Sequence, residues 1–224
     1  MNIEYREFEN KAALESAGLD LLKESICEGD GSARAIMLTG GRTPFGVYKA
    51  LAKQGVAADP GVHVYLSDER YVPLETGDSN YGRMRDMLDA LHVRHRYVVD
   101  SAVPPAIAAS RYANDLTHML NKKVSLPLGI LGLGGDGHVA ALFSEEQIAR
   151  ASGQLAVAVN RPDGMVGISL TPEMLCKVER LVFWVCGQGK AEAVDALRHR
   201  PNDIPAGVAL AHAPHVEVWY SPQD

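Results

Sequence analysis

Cysteine is scarce in this chain. Cys27, Cys176 and Cys186 are odd in number and widely spaced, and two of them sit in apolar surroundings. That argues against a disulfide framework and for buried thiols in a reducing cytosol. Positive charge is short as well: 22 Lys and Arg face 28 Asp and Glu, for a net charge of −6. A general attraction to nucleic acid or to an anionic membrane is not expected on that balance. Any anionic ligand must be held by a local basic site working against the overall field. There is no run of about 18 apolar residues, so no membrane span is expected. The opening MNIEYREFEN is acidic and lacks an apolar segment, so no signal peptide is expected either. No stretch fits the P-loop pattern G-x-x-x-x-G-K-[ST]. His63, His92, His95, His118, His199, His212 and His215 fall in no metal-ligand spacing, and His92 and His95 lie among Arg94 and Arg96. A metal site is not expected.

What is present is an ordinary globule, 46% hydrophobic and 22% charged, with no internal repeat or linker. A single domain over residues 1–224 is the reading. Strand-like and helix-like segments alternate. Residues 10–27 read as a helix with Leu14, Ala17, Leu21, Leu22 and Ile26 near one face. ARAIMLTG is a buried strand, followed by a helix in TPFGVYKALAKQG with Pro44 in its first turn. GVHVYLSDER is a strand running into a charged loop, and Ser79 caps a helix carrying Tyr81, Met84, Leu88 and Leu91. Residues 104–121 suit a further helix. LPLGILGLG is a strand and VAALF is expected to begin the helix after it. QLAVAVN, MVGISLT, ERLVFWVC and HVEVWYS are strands, with AEAVDALRH a helix between the last two. The alternation predicts an α/β fold with a mainly parallel sheet covered on both faces.

Four unusual segments each follow an apolar strand: LTGGRTP (38–44), SDERYVP (67–73), GLGGDGH (132–138) and CGQGK (186–190). Ligands of open parallel sheets bind beyond the carboxyl ends of the strands, so these four are expected to converge on one edge. Gly132, Gly134 and Gly137 fit the dinucleotide pattern G-x-G-x-x-G. They lie past mid-chain, however, and the first acid beyond them is Asp163. The ring of His138 would also occupy the space a pyrophosphate needs. No nucleotide cofactor is expected. The same turn places Asp136 two residues before His138. At a helix N-terminus the ring would be kept neutral and able to accept a proton, with Asp136 orienting it or a water beside it.

LTGGRTP reads as an anion site. Gly40 and Gly41 permit close approach, Thr43 offers a hydroxyl, and the helix behind presents free N–H groups. Arg42 either forks onto a phosphate or points into solvent. Lys190 is a second cation at the same edge. Asp68, Glu69 and Arg70 offer acceptors for sugar hydroxyls and a donor for a carbonyl, or form a local ion pair.

LTGGRTP, LSDERYVP, SNYGRM (79–84), GLGGDGHVAALF and CGQGK occur in the order and at the spacing of the 6-phosphogluconolactonase family, which the chain resembles over nearly its whole length. The resemblance implies a Rossmann-like three-layer α/β/α architecture without a cofactor. Its implied substrate is a small phosphosugar lactone, hydrolysed in the oxidative pentose phosphate pathway of the cytoplasm. By matching position it implies His138 as general base with Asp136 beside it, and Asp68, Arg70 and Asn80 lining the sugar pocket. Gly40, Gly41, Arg42, Thr43 and Lys190 would hold the phosphate. The chain departs from the family where AALFSEE replaces ASLFPG and where the C-terminal Asp-x-x-Ala tail is missing. Gly167 also stands in place of an arginine that helps bind phosphate in relatives, with Arg161 six residues earlier, and Arg42 and Arg161 are the candidates to compensate. The relatives include glucosamine-6-phosphate deaminases, for which Asp68 and His138 would be the acid–base pair, and phosphosugar-sensing domains. Monomer and homodimer both remain open.

Overall fold

A computed structural model describes residues 3–223. The strands are β1 (Ile3–Glu7), β2 (Arg34–Leu38), β3 (Val62–Leu66), β4 (Asp68–Arg70), β5 (His95–Arg96), β6 (Ser125–Leu131), β7 (Ala156–Asn160), β8 (Val166–Leu170), β9 (Leu181–Cys186) and β10 (Val216–Ser221). The helices are α1 (Lys11–Cys27), α2 (Arg42–Ala52), α3 (Asn80–Ala90), α4 (Pro105–Asn121), α5 (Glu145–Arg150), α6 (Pro172–Leu175), α7 (Ala191–His199) and α8 (Pro205–Ala209). Seven strands form one sheet in the order β1-β10-β9-β6-β2-β3-β5, and every neighbouring pair is parallel.

Alternation along each central strand explains why both faces are covered. In β9, Val182 and Trp184 join a core with Leu14, Leu22, Leu51 and Met84 from α1, α2 and α3. Leu181, Phe183 and Val185 face the opposite way, into a core with Tyr112, Leu116, Leu197 and Leu210 from α4, α7 and the end of α8. β2 divides likewise, with Ile36 and Leu38 on the first face and Ala35 and Met37 on the second. Continuous apolar strands with helices on both sides are what a buried parallel sheet requires. The helix starts follow from local chemistry: Asn10 accepts from the N–H of Ala13 at 2.9 Å, and Ser79 from that of Gly82 at 2.9 Å.

Three expectations need correction. The charged loop expected at SDER is itself a strand: after a break at Ser67, β4 stands apart from the main sheet and pairs antiparallel with β8, which pairs antiparallel with β7. The small sheet β4-β8-β7 is thus separate from the parallel one. VAALF does not begin a helix. Val139 bridges to Leu133 and to Leu142, Ala140 has φ +51°, and helix appears only at Glu145. The reason is a stop-and-start at Ser144, whose hydroxyl accepts from the N–H of Gln147 while the Gln147 side chain accepts from that of Phe143. The three cysteines are half-buried rather than buried thiols. β1, missed by the sequence reading, lies parallel to β10 at the sheet edge. Among the described residues no helix is long and apolar enough to cross a membrane.

Candidate active site

Because the main strands are parallel, the carboxyl ends of β2, β3, β6 and β9 lie on one edge, and each of the four unusual segments starts there. Between them is a cleft of about 190 Å3 lined by Thr39, Gly40, Gly41, Asp68, Arg70, Asn80, Gly132, Leu133, Gly134, His138, Ala140, Arg161 and Lys190. A roomier groove of about 620 Å3 lies between α4 and β7. Arg150 is the one charged side chain in its lining, so it offers no acid–base pair.

The turn after β6 is closed by hydrogen bonds from Gly134 N–H to the His138 carbonyl at 2.9 Å and from Gly137 N–H to the Gly134 carbonyl at 3.1 Å. It brings Asp136 Oδ1 to 2.6 Å from His138 Nδ1. Partial burial opposes ionisation of Asp136, but the hydrogen bond and charge of His138 outweigh it and hold the carboxyl below its ordinary value. An ionised carboxylate only accepts, so the proton between the two belongs to Nδ1 and the lone pair to Nε2. The Phe143 ring lies tilted against the imidazole with centroids 4.4 Å apart, fixing its face. Gly134 makes this closeness possible. A Cβ there would stand 2.0 Å from His138 Nδ1 and 2.2 Å from Asp136 Oδ1. Asp136 therefore holds the ring itself, one of the two roles expected of it, whereas the helix dipole expected to keep the ring neutral is absent, since no helix begins at His138.

Asp68 is buried; Asn80 Nδ2 donates to its Oδ2 at 3.2 Å and to its backbone carbonyl at 3.0 Å, and Ser67 Oγ lies 2.7 Å from its Oδ1. Arg70 donates to the Asp78 carbonyl at 3.3 Å from the same cleft wall. Glu69 turns the other way. Only 1% exposed, it accepts from the backbone N–H groups of Arg70, Asn80 and Tyr81 and from the Ser79 hydroxyl. It anchors the start of α3 and offers nothing to a ligand, contrary to its reading as a sugar acceptor. Burial pushes its carboxyl up, against the pull of those four donors.

Gly40 and Gly41 line the cleft, whereas Arg42 and Thr43 open α2 outside its lining, with Arg42 exposed. No side chain caps α2, so its first N–H groups keep their donors free of side-chain acceptors. Lys190 reaches the cleft from the single 3-10 turn that precedes α7. Its pKa is lowered by burial and by Arg42, with Asp136 acting the other way. Arg161 joins these residues in the cleft. Of the two residues that the sequence offers in place of the arginine absent at Gly167, Arg161 lines the cleft and Arg42 does not. No group of three or more His, Cys, Asp or Glu among the described residues is placed to hold a metal.

Residues 9–219 match the profile described as "Glucosamine-6-phosphate isomerases/6-phosphogluconolactonase". A 6-phosphogluconolactonase of Synechocystis sp. is 32% identical over 167 residues, 71% of this chain and 69% of that protein. One from Thermotoga maritima is 29% identical over 191 residues, covering 83% and 82%. The solved 6-phosphogluconolactonase of Trypanosoma cruzi, 19% identical, superposes with a TM-score of 0.85 over 99% of this chain and 96% of its own, which is a likeness of fold. The match includes the small sheet, the main sheet from β2 into β10 and all four cleft segments, and the chain belongs to the glucosamine-6-phosphate isomerase/6-phosphogluconolactonase family.

Proposed function

We propose that the protein hydrolyses 6-phospho-D-glucono-1,5-lactone to 6-phosphogluconate, a step of the oxidative pentose phosphate pathway, in the cytoplasm. The observation that carries this reading is the Asp136–His138 pair, with Nδ1 engaged and His138 lining a cleft that also holds Arg70, Arg161 and Lys190. His138 Nε2 takes a proton from water as the water oxygen bonds to the lactone carbonyl carbon. Arg70 stabilises the oxyanion. The bond from that carbon to the ring oxygen then breaks, and His138 returns its proton to the departing oxygen. Asp136 stays ionised and stabilises the imidazolium in between.

The magnitudes are adequate. A positioned general base contributes about 10²–10⁴-fold, and one oxyanion donor about 10²–10³-fold. A δ-lactone is already electrophilic, so the scheme needs no covalent intermediate. The phosphate, far from the reacting carbon, binds at the start of α2 with Lys190 and positions the ring. Asp68 and Asn80 take the sugar hydroxyls.

A deaminase reading has one observation in its favour: Asp68 and His138 line the same cleft, as an acid–base pair at adjacent carbons would require. The named lactonase relatives support hydrolysis instead. The experiment is acid release from freshly generated phosphogluconolactone, corrected for spontaneous opening, beside ammonia release from glucosamine 6-phosphate. Acid release without ammonia is the expected result.

A further inference from the structure

Gly167 sits inside the small sheet, paired with Arg70 on one side and Val159 on the other. Its backbone is ordinary strand, open to any residue. What the missing side chain provides is room. A Cβ built there would stand 3.3 Å from Cδ of Arg161 and 3.3 Å from Cβ of Ala141. The stem of Arg161 therefore lies across the bare face of Gly167.

Arg161 is the first residue of the turn joining β7 to β8, with its N–H bonded to the Met165 carbonyl at 2.9 Å. Its side chain is only 13% exposed. Asp163 holds the guanidinium by one edge, through Nε at 3.2 Å and Nη2 at 2.9 Å. The guanidinium carbon lies 5.3 Å from the centre of the Phe143 ring, the same ring that packs against His138. The other edge, Nη1, has no partner among the described residues. An ion pair to a half-exposed aspartate in a turn is worth about 0–1 kcal/mol. That does not account for drawing a third cation into a small cleft already holding Arg70 and Lys190, where like charges repel. An anionic ligand does.

We propose that Arg161 is a specificity-determining residue that binds the phosphate of the substrate through Nη1, with Asp163 orienting it and the absent side chain at 167 giving it access. The proposal rests on the phosphosugar reading of the cleft and adds to it a residue that reaches the site from the β7–β8 turn.

Arg161→Met keeps the stem that packs on Gly167 and removes the charge. The quantity to measure is kcat/KM on the phosphorylated lactone divided by kcat/KM on the unphosphorylated one, with thermal unfolding as a check of the fold. The expected result is a fall in that ratio of at least about tenfold, carried by KM. Pairing Gly167→Arg with Arg161→Ala, which clears the stem from the face of residue 167, is expected to recover much of the lost ratio. A ratio within about twofold of the parent's in Arg161→Met overturns the proposal. Should the parent open neither lactone, the hydrolytic reading fails on its own, and calorimetry with 6-phosphogluconate against gluconate still decides the point. Preference for the phosphorylated acid lost in Arg161→Met supports the role of Arg161, and an equal preference in both proteins overturns it.

Discussion

Asp136 Oδ1 lies 2.6 Å from Nδ1 of His138, two residues on, in a turn too tight for any side chain at Gly134. The carboxylate sets which ring nitrogen carries the proton. Asp136→Asn would let an amide donate to Nδ1 and move the proton to Nε2, the wrong nitrogen for a base. We predict a fall in kcat of about 10²–10⁴-fold, with KM changed by no more than about twofold. Steady-state lactone hydrolysis checks this, and an unaltered kcat would remove Asp136 from the mechanism.

Gly134→Ala tests the same geometry from the backbone. The new methyl would collide with both members of the pair, and neither can retreat without breaking their hydrogen bond. Activity is expected to fall by at least about 10²-fold, the lower end of a general base's contribution. Thermal unfolding of the same sample separates loss of the pair's geometry from loss of the fold at this buried position. Full activity in the alanine variant would mean that the pair need not be this close.

Lys190 supplies a pH dependence whose sign is fixed. Its pKa is lowered, chiefly by burial, so its positive charge is lost at a lower pH than that of an ordinary lysine. Affinity for 6-phosphogluconate should therefore weaken as pH rises from about 7 to 10. Lys190→Arg, charged throughout that range, should flatten the curve. Calorimetric titration follows both proteins without interference from spontaneous lactone opening. Parallel curves would show that Lys190 does not carry the dependence.

Glu69→Gln addresses stability. Four donors converge on the buried carboxylate, and an amide nitrogen in place of one oxygen turns acceptance into a clash of donors. The expected cost is about 3 kcal/mol, seen as a drop in Tm of about 5–10 °C. A Tm within about one degree of the parent's would show that α3 does not depend on this anchor.

The sequence displayed most of the architecture because each cleft segment interrupts an apolar strand with glycine and charge, a local contrast. LTGGRTP, GLGGDGH and CGQGK are legible for that reason, and parallel strands then bring them to one edge. What stayed hidden depends on pairing between distant residues. Nothing local says that 166–170 stands apart from the main sheet, between 68–70 and 156–160. Val139, Ala141 and Leu142 are fully buried, so VAALF has the apolar density of a helix start while folding as a compact turn. Glu69 and Asp68 are adjacent acids, and strand alternation alone sends one to α3 and the other to the cleft. Arg161 and Arg42 were equal candidates to replace the arginine absent at Gly167, and only the fold of the β7–β8 turn puts Arg161 in the cleft.

The most direct test of the account is the turnover of His138→Asn on freshly made phosphogluconolactone, with 6-phosphogluconate binding measured on the same sample. The account predicts a kcat reduced by at least about 10²-fold and product affinity within about threefold of the parent's. A kcat close to the parent's, from protein that still binds product, would contradict it.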